Sequence, residues 1–421
     1  MNVLSYLFYK YQRVVKAIEI FLAVVGPGII VMVADNDAGG ITTYAVTGST
    51  FGYSLIWFLL LLGPLAFVVQ EMCVRLGAVT KRGHAEAIFD AFGPFWGWFS
   101  LIDLTMTDWL TIITEFIGMT AALSIFHIPV LLTVIAVIIL ISAIIIQGRY
   151  WTWEKIVLLL CVLNLIYIPA AFIVHPNIAK VFTGFVPGFV GGFTPTLFFF
   201  LMANIGTTIA PWMVFFHQSA VVDKGLSEKT IKWERVDTAL GAVATVVTAS
   251  FITVVTGTVL FGVNISSAAQ AASIILTKIN FYVGTFLAIG LFDAGLLGAI
   301  CISLASSWAL GEVFGWAHSL NTKVKQAPWF FIFRVIILCT AGIVVMIPHA
   351  PLIAITLFVQ VIAVTLLPST LVFLILLLNN EELMGKYKNN LLQNILGTAM
   401  VTLIVVVSTL YGISIIFPHL F

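Results

Sequence analysis

Residues 26–53 read GPGIIVMVADNDAGGITTYAVTGSTFGY. Both ends of the stretch are apolar enough to cross a bilayer, yet its middle is Asn36-Asp37-Ala38-Gly39-Gly40. An aspartate at the centre of a lipid-facing helix is penalised by about 2.5–3.5 kcal/mol on insertion scales. Unwound backbone at that depth is tolerated only where it lines a cavity inside the protein. A second apolar run, 194–222, carries a comparable interruption, Gly206-Thr207-Thr208-Ile209-Ala210-Pro211. Its proline removes a backbone donor and frees carbonyls upstream.

The remainder of the chain agrees with a membrane interior. Of 421 residues, 61% are hydrophobic and 9% charged, with a mean hydropathy of +1.14. A soluble domain carries about 25% charge, so lipid is the solvent here. The expected class is an all-α polytopic membrane protein. Runs long enough for a ~30 Å hydrocarbon core predict eleven spans near 20–48, 53–74, 97–124, 128–147, 153–174, 194–222, 238–262, 286–316, 329–347, 351–378 and 391–416. No polar linker divides them, so residues 1–421 read as one transmembrane domain. Lys10, Arg13 and Lys16 precede the first run, and no cleavable signal peptide is read there.

Lys and Arg cluster in every second loop, and 17 of the 19 fall on one side, with Lys180 and Lys278 the exceptions. By the positive-inside rule that side is cytoplasmic. The expected location is a plasma (inner) membrane, with the N-terminus inside and the C-terminus outside. A net charge of +1 leaves no footprint for nucleic acid. Cys73, Cys161, Cys301 and Cys339 lie in apolar runs without CxxC spacing and read as inert. There is no HExxH, no GxSxG and no polar segment of domain length, which argues against an enzyme. No cofactor and no obligate protein partner is evident; the lipid bilayer is.

Broken first and sixth spans, five apart, are what an inverted repeat of five plus five helices gives. Repeat one would cover about 20–174, repeat two 194–378, with an extra helix at 391–416. In that architecture substrate sits between the unwound segments, and exposed carbonyls with half-helix C-termini favour cations.

The segment GPGIIVMVADNDAGGITTYAVTGSTFGYSLIW resembles the opening of the Nramp divalent-metal transporters. The family's Asp-Pro-Gly-Asn motif falls on Asp37, Ala38, Gly39 and Gly40. Further matches are Gln70 with Arg75-Leu76-Gly77, Glu115-Phe116-Ile117-Gly118, Gln360 through Pro368, and Glu382-Leu383-Met384-Gly385. The resemblance implies a LeuT-type fold with a metal site between helices one and six. The departures point within the family. Its helix-six Met-Pro-His is Ala210-Pro211-Trp212 here, one helix-three acid is Ile112, and the alanine before the break is Thr207. These substitutions resemble the Nramp-related magnesium transporter branch.

Ligand chemistry runs the same way. Mg²⁺ prefers octahedral oxygen and sheds water reluctantly, whereas thioethers suit softer ions. Ala210 and Gly40 remove one soft and one bulky ligand, leaving an all-oxygen cavity for a partly hydrated cation. The candidate metal site is Asp37, Gly40, Thr207, Thr208, Ala210 and Gln360, with the Asp37 and Thr207 carbonyls and the threonine hydroxyls as oxygen donors.

Asp35, Asp108, Glu115 and His217 are candidates for an ion or proton path. Each also has a structural reading: Asp35 as a cap, Asp108 and Glu115 bonded to a neighbouring helix, and His217 packed. Arg149 and Glu154 read as a structural loop pair. The leading expectation is uncoupled Mg²⁺ (also Mn²⁺) uptake by alternating access. A proton-coupled Mn²⁺/Fe²⁺ carrier, a sodium-coupled organic-solute carrier and a membrane sensor are the alternatives.

Overall fold

The computed structural model describes residues 19–417 apart from 147, 190 and 191, and the basic residues Lys10, Arg13 and Lys16 lie outside that range. The helices are α1 (residues 19–24), α2 (Pro27–Ala34), α3 (Ala38–Phe51), α4 (Ile56–Thr80), α5 (His84–Phe92), α6 (Pro94–Ser124), α7 (Val130–Ile146), α8 (Tyr150–Leu163) and α9 (Tyr167–Ile173). They continue as α10 (Ile178–Thr183), α11 (Pro195–Gly206), α12 (Pro211–Asp223), α13 (Ile231–Val259), α14 (Ala268–Lys278) and α15 (Phe281–Phe314). The last are α16 (Pro328–Val345), α17 (Leu352–Asn379), α18 (Glu381–Met384) and α19 (Leu391–Ile416). Proline opens α2, α6, α11, α12 and α16, where its fixed φ suits the first turn and its missing donor is not needed.

The described residues hold eight helices long and apolar enough to cross a membrane, counting α8–α9 and α11–α12 as one each, and the shorter apolar α7. The broken α2–α3 and α6, which carries Asp103, Asp108 and Glu115, account for the two further expected spans. Both predicted interruptions are present, at Asp35–Asp37 and Thr207–Ala210.

Boundaries differ where charge meets helix. α13 starts at Ile231 rather than 238 because Lys232, Glu234 and Arg235 form its first turns, which a hydropathy reading leaves out. Arg235 is held there by Glu71 at 2.7 Å. The short helices α5, α10, α14 and α18 were not predicted, being too brief to cross a membrane. The first span has a second break at Gly26, whose φ of 148° is readily available only to glycine.

Packing places the broken helices centrally. In α11–α12, 94% of the apolar window is buried, against 22% for α19 at the periphery. α15 is buried along most of its length and packs on α6, while α13 packs on α2, α3 and α4. Without a hydrophobic drive between helices in lipid, such packing rests on close fit and internal polar bonds.

Candidate metal site

The site begins with the polarity of a helix end. Asp37 is the N-cap of α3, with extended backbone and Oδ1 accepting Gly40 N–H at 2.7 Å. From α6, Glu115 Oε2 accepts Ala38 N–H at 2.9 Å. Two carboxylates therefore meet the positive end of the α3 dipole. They are Asp37 at the break and Glu115 behind it.

Across from them lies the second break. The Tyr44 hydroxyl of α3 donates to the Thr207 carbonyl at 2.8 Å and sits 3.5 Å from Thr208 Oγ1. Gln360 of α17 is wedged between both breaks. Its Nε2 occupies the place where a Cβ on Gly39 would stand, and its main-chain carbonyl oxygen lies against Gly206 in the same way. Gly39 must lack a side chain for that approach. A Cβ at Gly40 would stand 3.1 Å from the Asp35 carbonyl and 3.5 Å from Thr207 Cβ, so Gly40 faces the second break directly.

Asp37, Gly40, Thr207, Thr208 and Gln360 are thus brought together, all buried. The two threonine hydroxyls donate to the Asn204 carbonyl at 3.1 and 2.8 Å, which leaves their lone pairs available to a cation. The candidate carbonyls fare differently. Asp37 O accepts Ile41 N–H within α3 at 2.8 Å, and Thr207 O is taken by Tyr44. Ala210 caps α12, and its N–H donates to Met213 Sδ at 3.3 Å. A thioether therefore does reach this break, from one turn further along than the sequence reading considered.

The path candidates are dispersed. Asp35 closes α2, with Oδ2 buried and without a hydrogen-bond partner among the described residues. Asp108 accepts from Ser306 of α15 at 2.5 Å. Glu115 holds the α3 end. His217 Nδ1 is 3.0 Å from Gln70 Oε1, and its Nε2 has no hydrogen-bond partner among the described residues. Asp108 and Glu115 each bond to a neighbouring helix, as one of the two readings had it.

Arg149 and Glu154 do not pair. Arg149 is an exposed N-cap of α8, while Glu154 binds Lys224 of α12 at 2.7 Å. Lys224 Nζ also donates to the Val24 and Val25 carbonyls at 2.9 and 2.8 Å. Glu154 fills the side of Gly26 that has no Cβ, so the pairing is fixed by the first span's extra break and not by loop proximity. Asp237 Oδ2 accepts Gly28 N–H at 2.7 Å, and Thr245 Oγ1 donates to Met32 O. These bonds seal α2 on the side of the Lys/Arg-rich loops. On the opposite side a cavity of about 710 Å³ opens among Thr42, Gly118, Thr120, Ser124, Ser267 and Thr356. No carboxylate lines it.

Residues missed from sequence are Tyr44, Met213 and Asn204. Tyr44 lies two turns beyond Asp37 on one face, a signal the sequence offers; Met213, three residues after an alanine N-cap, carries no capping signature.

A family model described as natural resistance-associated macrophage protein-like matches residues 28–414. The chain is 26% identical to "Divalent metal cation transporter MntH" of Caldanaerobacter subterraneus subsp. tengcongensis, covering 93% of this chain and 92% of that one. It is 26% identical to "Natural resistance-associated macrophage protein 2 homolog" of Dictyostelium discoideum, over 90% of this chain and 60% of that one. Its fold matches a crystal structure of the Eremococcus coleocola manganese transporter, with TM-score 0.78, 21% identity, 94% of this chain and 86% of that one. It also matches MhsT crystallised with L-phenylalanine, with TM-score 0.60, 13% identity, and 92% and 98% coverage. The match spans both broken helices and every long helix between them: this chain belongs to the Nramp family.

Proposed function

We propose that this protein carries divalent metal cations across a membrane by alternating access, and that its ion is Mg²⁺, with Mn²⁺ also accepted and no proton moved. The observation that carries this reading is the meeting of the two helix breaks around Asp37. The Asp37 carboxylate, with Glu115 behind it, two hydroxyls with free lone pairs and the Gln360 side chain converge here, and neither Gly40 nor Ala210 brings a bulky or soft side chain. Such a donor set suits a hard ion that keeps some of its water. The cavity of about 710 Å³ on the side away from the Lys/Arg-rich loops, lined by apolar groups with a few hydroxyls, would be the ion's way in. With the Lys/Arg-rich side taken as cytoplasmic, the conformation is open outward and sealed inward.

The relatives' names support divalent cations as the substrate class. A second reading, a proton-coupled Mn²⁺ carrier, has one specific observation in its favour: the Met213 sulfur at the break. That sulfur already accepts the Ala210 N–H, so it is engaged as a cap. Purified protein in liposomes loaded with a magnesium-sensitive dye tests the proposal. External Mg²⁺ should raise the signal above that of empty vesicles, and Mn²⁺ should compete. Mn²⁺ entry without Mg²⁺ entry would favour the second reading.

A further inference from the structure

Outside the candidate metal site, Arg334 is a buried cation with no hydrogen-bonded anion among the described residues. Arg334, on α16, is 2% exposed. Its Nε and both terminal nitrogens have no hydrogen-bond partner among the described residues. Its guanidinium stands 4.6 Å from the Phe330 ring centre, which is a weak compensation for a buried cation. Asp223 is the carboxylate whose field reaches it. Both oxygens of Asp223 are already engaged, by Ser319 Oγ and by Leu320 N–H at 2.8 Å. A cation left unpaired in a low-dielectric site is costly, so a missing anion is the simplest completion.

The surroundings indicate which anion. Arg334 lines a cleft of about 290 Å³ between α7 and α16, with Ile145, Ile146, Val324, Ile332 and Ile336. Ile146, Ile332 and Ile336 are 54%, 43% and 53% exposed, so the cleft opens toward the hydrocarbon and not toward the ion path. At its mouth, the loop beside Val324 carries exposed Lys323 and Lys325, and Trp329 is exposed in the first turn of α16. Arg149 is exposed next to Gly148, whose missing Cβ would stand 3.2 Å from the Thr322 carbonyl. A tryptophan ring chain, Trp329 to Trp316 to Phe314 to Trp98, runs along the same side, as aromatic side chains do at the headgroup level.

We propose that this cleft binds one anionic phospholipid from the leaflet on the Lys/Arg-rich side, its phosphate drawn to Arg334 and the Lys323–Lys325 rim, its acyl chain lying along α7 and α16. Guanidinium geometry matches two phosphate oxygens at once, and a long arginine side chain can swing its head toward the interface while its stem stays in the apolar cleft. Basic pockets between membrane helices favour anionic headgroups on this ground.

The test is native mass spectrometry of the full chain in detergent, offered equal dioleoylphosphatidylglycerol and dioleoylphosphatidylcholine. Wild type should retain the glycerol lipid at least about fivefold over the choline lipid. Arg334→Gln should bring the ratio near parity, with Arg334→Lys between them. Lys323→Gln with Lys325→Gln, both on the exposed loop, should lower the ratio while leaving the fold intact; this pair decides the matter if Arg334→Gln does not fold. Parity in wild type, or a preference unchanged in these variants, would overturn the proposal. So would sodium phosphate raising the thermal midpoint as much as the glycerol lipid, which would make the ligand a soluble anion.

Discussion

On the proposed reading Asp37 has two separable tasks, and substitutions can split them. Its carboxylate caps α3 through Gly40 N–H, and its charge is the one placed at the meeting of the breaks. Asp37→Ala should lose the cap, at about 1 kcal/mol, together with all transport. Asp37→Asn should keep the thermal midpoint near wild type and still lose transport, because the amide retains an acceptor but no charge. Transport by Asp37→Asn at the wild-type rate would mean the ion binds elsewhere. Gly40→Asn with Ala210→Met should depress Mg²⁺ influx and strengthen inhibition by Cd²⁺, since both side chains take up room a hydrated ion needs and one adds sulfur. Met213→Leu should leave Mg²⁺ influx within about twofold, because its sulfur serves a neutral hydrogen bond of order 1 kcal/mol or less. A large loss there would make Met213 part of the ion site. Much of this site was legible: a mid-span aspartate and glycines can be seen in one sequence. Tyr44 shares a face with Asp37, but its bond to Thr207 joins residues 163 apart and is not legible in one sequence.

At the scale of elements, α2 is the part that the proposed alternation would move. It is flanked by breaks at Gly26 and Asp35–Asp37 and fastened by Lys224, Glu154, Asp237 and Thr245. Opening on the Lys/Arg-rich side must break these bonds. Lys224→Met paired with Glu154→Gln removes the charged link without leaving one buried charge alone. Losing charge-assisted bonds worth about 1.5–3 kcal/mol should shift the population toward that opening by roughly 10–150-fold. Hydrogen exchange over residues 27–34 should then rise, and unchanged protection would show that the seal lies elsewhere. The long helices were legible from hydropathy alone, and the two central breaks from Asp37 and Pro211. The seal was not, because its partners are 70 to 213 residues apart and charges near a helix end have many equivalent partners in sequence. The four short helices escaped because spanning length was the criterion applied.

The whole molecule alternates, on the proposed account, between the outward cavity and a closed inner side, with Asp37 and, behind it, Glu115 at the crossing point. What distinguishes it from a proton-coupled carrier is the fate of its other ionisable groups. Ile112 and Trp212 stand where the resemblance places ionisable residues, both fully buried and apolar in packing. Glu115 binds the α3 N-terminus through Ala38 N–H beside the Asp37 carboxyl, and His217 stands 3.0 Å from Gln70. No proton is therefore expected to accompany the ion. The most direct test uses proteoliposomes carrying a magnesium-sensitive dye and a pH dye at once. Mg²⁺ influx with a flat internal pH is the predicted result; acidification that follows the metal, above that of empty vesicles, would contradict the account.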